Sequence, residues 1–260
     1  MVPETAARPA GSAGDFDYEA SGEGYASLRR PDPAIAALIE ARLGDAESLI
    51  NVGAGAGSYE PTNRYVLAIE PSATMRRQRP AHLPPALDAV AESLPVDKSS
   101  FDAALAVLTV HHWRVPAQGL SEMRRVARGP VVIVTFDPLA LGRSWLSRYF
   151  PEVIALEQRR FPGIDELATW LGGRVSVETV PIAHDCPDGF GEAYYGRPEA
   201  LLEEQVRRAM SGFGLTEPAA VRRGVEFLAR ELAGGEWDRR FGHLRRLPEH
   251  RGAVRLVVGC

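Results

Sequence analysis

Three glycines, Gly53, Gly55 and Gly57, alternate with Ala54 and Ala56 directly after the apolar run Leu49-Ile50-Asn51-Val52. Glycine removes the Cβ that would hold a ligand off the backbone, and it permits positive φ in a tight turn. A helix starting behind such a loop would add free N–H groups and a partial positive charge. The next apolar run, Tyr65 to Ile69, ends in Glu70-Pro71, where a carboxylate can accept hydrogen bonds from a ribose diol. These residues together point to a nucleotide-like ligand. The dinucleotide fingerprint G-x-G-x-x-G/A needs Gly or Ala at position 58, which is Ser58, so a nicotinamide cofactor is only an alternative.

His111 and His112 are the acid–base candidates. They follow Leu108-Thr109-Val110 at the end of a third apolar run, and an imidazole titrates near neutrality. The competing role is packing on a sheet, with Trp113 shaping the pocket. His111, the earlier position, is favoured for catalysis. Asp137 follows the fourth apolar run, Val131 to Phe136, and faces the same mouth. Trp145, Tyr149, Phe150, Phe161, Trp170 and Tyr194-Tyr195 are divided between core and a pocket for a planar or apolar substrate. No metal site is expected: adjacent histidines diverge on an extended chain, and His184-Asp185-Cys186 lacks a spaced partner pair.

The elements that must position these groups alternate. A helix opens at Asp32-Pro33 and carries Ile35, Leu38, Ile39 and Leu43 on one face before Gly44. Strands at 49–52, 65–69, 101–108 and 131–136 are separated by helices at 72–79 and 116–128. This rhythm predicts an α/β fold, a Rossmann-like, mostly parallel sheet of seven strands with helices on both faces. Helical segments about 143–172 and 190–245 form a lid, including helices at 198–211 and 217–233. Strands at 174–180 and 253–258 complete the sheet. Residues 1–14, rich in Ala, Pro and Gly, are expected to be a flexible tail. Residues 15–260 are expected to form one domain, its ligand-binding half about 15–140.

The 260 residues are 45% hydrophobic and 25% charged, which excludes disordered, collagenous and disulfide-scaffold classes. The longest apolar runs are far shorter than the roughly 20 residues of a membrane span. A net charge of −4 gives no bulk attraction to nucleic acid or anionic lipid. Of the 30 basic residues only Lys98 is a lysine, and the arginines form no stripe. Two distant cysteines, with no secretory signal pattern, fit a reduced, cytoplasmic protein, a monomer or homodimer without membrane or nucleic-acid partners.

Four blocks resemble the class I S-adenosylmethionine-dependent methyltransferases, particularly the type 11-like group acting on small molecules. LINVGAGAGSYE (49–60) is similar to the first cofactor motif and VLAIEPS (66–72) to the second. VAESLPV (90–96) with Ser100-Phe101-Asp102 resembles the adenine-side loop and next strand, and AVLTVHHW (106–113) with Met123-Arg124-Arg125-Val126 resembles the end of strand four and its helix. The resemblance covers about residues 16–137. It implies S-adenosyl-L-methionine as cofactor and methyl transfer to O, N, S or C of a small molecule. A non-methylating enzyme on this fold, such as a cyclase, is the other outcome. The implied cofactor contacts are Asn51, Gly53, Ala54, Gly55, Gly57, Glu70, Pro71, Ala91, Glu92 and Leu108, with Tyr25 and Arg29 from a segment that folds over the cofactor. Asn51 stands where the family usually has an acid, and Val90 where an aspartate often meets adenine. Adenine recognition then falls to backbone near Ala91 and Glu92.

Overall fold

The computed structural model describes residues 29–260, so the expected tail and Tyr25 lie outside the described residues. The central sheet has six strands: β1 (Ser48–Val52), β2 (Tyr65–Ile69), β3 (Ala103–Val107), β4 (Val131–Phe136), β5 (Val175–Thr179) and β8 (Val254–Gly259). Their order is β2-β1-β3-β4-β8-β5, with β2, β1, β3, β4 and the edge strand β5 running in one direction and β8 antiparallel to both its neighbours. A separate ribbon pairs β6 (Ile182–Ala183) with β7 (Glu249–His250). Six strands rather than seven follow from the Pro84-Pro85 pair: beside β2 the chain makes one parallel bridge, Leu87 to Ile69, and proline has no N–H to extend it.

Side chains alternate across the sheet and seed two cores. Leu49, Leu105, Val132 and Val134 join the first, with Ile35, Ile39 and Leu43 of helix α1 (Pro33–Leu43). Ile50, Ala104, Val131 and Ile133 join the second, with Leu120, Met123 and Val126 on the other face. β4 is buried throughout because both faces are covered. The α1 start is as expected, with the Asp32 side chain accepting from the N–H groups of Ala34 and Ile35, a cap worth about 1 kcal/mol.

The remaining helices are α2 (Ala73–Arg77), α3 (Pro116–Val126), α4 (Pro138–Leu141), α5 (Leu146–Tyr149), α6 (Pro151–Arg160), α7 (Ile164–Leu171), α8 (Glu204–Arg208), α9 (Ser211–Leu215), α10 (Pro218–Ala233) and α11 (Glu236–Phe241). The first core continues from the sheet into this segment through Trp145, Tyr149, Phe150, Leu228 and Trp237. Two expectations change here. Helix α7 does not belong to a lid, because Leu167 and Leu171 bury against the second core beside α3. The helix expected over 198–211 is a 3-10 turn at Pro198–Leu202 followed by two short helices.

The largest departure lies behind the glycine loop: residues 53–64 hold turns and bends but no helix before β2 begins. A parallel crossover needs a dozen or more residues, and this short segment also contains Pro61. Tyr59 fills the space, buried and at φ 60°, among the first core residues.

Candidate active site

The strand order reverses direction between β1 and β3, and ligands of open α/β sheets bind outside the strand carboxyl ends at such a switch point. There Gly53 faces Thr109. A Cβ built on Gly53 would lie 2.1 Å from the Thr109 hydroxyl oxygen, and its φ is +71°, so no side chain fits. Gly55, at φ +53°, donates its N–H to Glu70 Oε2 at 2.8 Å, and the Ser72 N–H donates to Glu70 Oε1 at 2.8 Å. The carboxylate is thereby fixed by backbone, and burial raises its pKa against the pull of those two hydrogen bonds.

A cavity opens over this loop. It is lined by Arg29, Asn51, Gly53, Ala54, Gly55 and Glu70, with Thr109 and His112 across from them. An extension runs past Pro71, Ala91 and Glu92 to Trp113, which packs against the bare face of Gly119. Gly57 lines neither part. Its glycine is required by φ +93° and by Leu83, which would be 2.4 Å from a Cβ. The Glu92 side chain turns away to accept from the Val115 N–H, and its carbonyl accepts from Gln118. Asn51 Nδ2 donates to Glu60 at 2.9 Å, and Glu60 is ion-paired to Arg79 with both side chains buried. That bond uses one of the two Nδ2 hydrogens, and the Asn51 oxygen is an acceptor.

A second, aromatic cavity lies beyond the end of β3. Phe136, Phe161, Phe190 and Phe213 line it together with Leu108, His111 and His112. Phe161 stands 4.0 Å from His111 and 5.2 Å from Phe136, which in turn is 5.7 Å from Phe190, centroid to centroid. The space within, including its mouth, is about 690 Å³. The two cavities share Arg29, Leu108 and His112. Leu108 has φ 50°, a left-handed conformation for a branched side chain, at the point where they meet. Strain of this kind costs on the order of 1–3 kcal/mol and concentrates at functional sites.

The two histidines divide. His112 Nδ1 is 3.2 Å from Arg160 Nη2. A guanidinium only donates, so Nδ1 carries the lone pair and the neutral ring has its proton on Nε2. Arg160 is itself held by Glu157 at 2.6 Å and Ser211 at 3.1 Å. His111 lines only the aromatic cavity, and its buried Nδ1 has no partner among the described residues. Burial, then the neighbouring His112, Arg160 and Arg29, hold its pKa well below 6.5, so it is neutral at pH 7.

Several sequence-based assignments need correction. Asp137 does not face the site: it caps α4 through the Leu139 and Ala140 N–H groups and pairs with Arg255 at 3.0 Å. Trp145, Tyr149 and Phe150 are core, and Tyr195 is buried with its hydroxyl donating to the Leu247 carbonyl. Of the aromatic set named from sequence, Phe161 lines the aromatic cavity. The residues missed are Asp188, Tyr59, Thr109, Phe190, Phe213 and Arg160. Tyr59, inside the 49–60 block, and Thr109, inside the 106–113 block, lay within motifs that the sequence already marked.

The fold and this site define a Rossmann-like, nucleoside-binding protein. Without a helix behind the glycine loop, the N-terminal anion site that a pyrophosphate uses is missing. Comparison with known proteins agrees. The family described as "Methyltransferase domain" matches residues 50–134. A protein of Anabaena variabilis, described as a methyltransferase from an antibiotic biosynthesis pathway, is 31% identical. Its alignment covers 90% of this chain and 99% of that one, with a TM-score of 0.82. The cyclase SpnF, 16% identical over 86% of this chain and 78% of its own, shares the fold with a TM-score of 0.51. No curated protein matches the chain. The chain belongs to the class I S-adenosylmethionine-dependent methyltransferases. S-adenosylmethionine is its cofactor, which sets aside the nicotinamide alternative. Among the described residues, no helix is long and apolar enough to cross a membrane.

Proposed function

We propose that the enzyme methylates a small, mainly apolar molecule held in the aromatic cavity, with the cofactor in the glycine-loop cavity and its extension. The observation that carries this reading is the junction: Leu108 and His112 line both cavities, and neutral His111 stands beside them with an unpartnered nitrogen. S-adenosylmethionine supplies an electrophilic methyl group on a sulfonium centre. Gly53, Ala54 and Gly55 admit the nucleoside to the backbone, and Glu70 receives the ribose hydroxyls. Asn51 accepts from the methionine ammonium, while Arg29 meets the carboxylate. Pro71, Ala91 and the backbone at Glu92 flank the adenine.

On the acceptor side, His111 takes the proton that the acceptor hydroxyl or amine loses as it is methylated. His112, held at Nδ1 by Arg160, stands at the junction beside the acceptor. The Phe136, Phe161, Phe190 and Phe213 walls exclude water, which strengthens both interactions. A cavity walled by four phenylalanines on a chain of net charge −4 suits a small molecule better than a nucleic acid. The test is release of S-adenosylhomocysteine in the presence of a panel of phenols, catechols and aryl amines. Turnover of at least one is expected. A cofactor-saturated enzyme that releases none with any acceptor would mark a non-methylating role.

A further inference from the structure

Asp188 is a buried carboxylate that lines the glycine-loop cavity yet comes from the far part of the chain, between β6 and β7. It is 2% exposed, and both oxygens are engaged. Oδ1 accepts from Arg29 Nε, and Oδ2 accepts from the Tyr59 hydroxyl at 2.8 Å. The same hydroxyl accepts the Asp32 N–H at 3.1 Å, and the chain at Arg29 makes an isolated antiparallel bridge to Asp188. Tyr59 is one of three non-glycine residues at positive φ among the described residues, and burial followed by the Asp188 charge pushes its hydroxyl pKa far up. It remains a neutral donor. Three segments, the entry to α1, the exit of the glycine loop and the 184–192 turn, are thus fastened at one carboxylate.

We infer that Asp188 is a positioning residue for the amino-acid end of the cofactor. It holds the Arg29 guanidinium in one orientation at the cavity wall, so that the fork meets the cofactor carboxylate without first losing rotamer freedom. This goes beyond the acceptor reading and rests only on the cofactor tail lying in that cavity.

Two ligands separate these ideas: S-adenosylhomocysteine, which carries the amino-acid tail, and 5′-methylthioadenosine, which lacks it. Calorimetry on the full chain should show Asp188→Asn weakening S-adenosylhomocysteine about 10- to 100-fold, the range of a charge-assisted hydrogen bond, with methylthioadenosine within about twofold. Arg29→Gln should do the same, and the double variant should be no weaker than Arg29→Gln alone, as for residues acting through one another. If Asp188→Asn fails to fold, Tyr59→Phe keeps the buried ring and should still weaken only the tailed ligand, by a smaller factor. Equal loss for both ligands would reduce Asp188 to a structural role and overturn the inference, as would no loss for either. If the wild-type protein binds the two ligands equally, the tail lies elsewhere, and the cofactor placement fails independently of any acceptor result.

Discussion

The glycine-loop cavity and the aromatic cavity meet at Leu108 and His112, yet they are made in opposite ways. The first takes most of its wall from residues 51–75, and its defining features are backbone: missing Cβ atoms at Gly53 and Gly55, and a carboxylate fixed by two N–H groups. The second gathers Phe136 from the end of β4, Phe161 from behind α6, Phe190 from a turn and Phe213 from α9. One cavity is a local conformation, while the other is a meeting of distant side chains. A binding surface written in backbone suits a cofactor common to a family, and one written in side chains can change its ligand without disturbing the fold.

The contrast predicts separable losses. The largest belongs to the backbone side: Gly53→Val, forced against Thr109 at positive φ, should weaken S-adenosylhomocysteine binding by at least ~100-fold in calorimetry. Retained affinity would mean that the loop does not carry the cofactor. His111→Ala should lower turnover by about 10²- to 10⁴-fold while cofactor affinity stays within about twofold. An unchanged rate would make His111 a packing residue. Because wild-type His111 is neutral at pH 7, the rate should hold as pH falls through 6.5 and decline only below it. Phe161→Ala opens the side-chain cavity beside His111, so acceptor KM should rise about tenfold with cofactor affinity nearly unchanged. A matching loss of cofactor affinity would blur the division between the two cavities.

The smallest effect concerns stability. Glu192 lines the far end of the aromatic cavity and accepts the Ala253 N–H at 2.7 Å. Burial raises its pKa to about 7 from the usual 4.5. Between those values the folded chain binds more protons than the unfolded one, so this group makes stability fall as pH rises from about 4.5 through about 7. Glu192→Gln removes that dependence and still accepts the N–H. Its stability relative to wild type should be greater at pH 8 than at pH 5, by on the order of 1–3 kcal/mol in denaturant titrations. A difference independent of pH would mean that Glu192 ionises in the folded protein as it does in water.

What the sequence revealed follows the same division. Gly53, Gly55 and Glu70 were legible because a strand, a glycine turn and a second strand are contiguous, and their roles depend on local backbone. His111 and His112 were legible by position, although their different partners were not, since Arg160 approaches from a helix 48 residues away. Asp188, Phe190 and Phe213 gave no signal. They reach the site only through the packing of the 137–248 segment, and nothing in their own spacing marks them. The missing helix behind the glycine loop is instructive in another way. The motif implied it, but the twelve residues between Val52 and Tyr65, with Pro61 among them, leave little room for a full helix and two turns. Chain length was the better guide there.

In the proposed function the cofactor's sulfur sits where the two cavities join. A crystal structure with S-adenosylhomocysteine tests it directly. The sulfur should lie beside Leu108 and His112 and face the aromatic cavity, with the ribose on Glu70 and the adenine beside Pro71 and Ala91. A sulfur turned away from His112, or a ligand seated among Phe136, Phe161 and Phe190 instead, would contradict it.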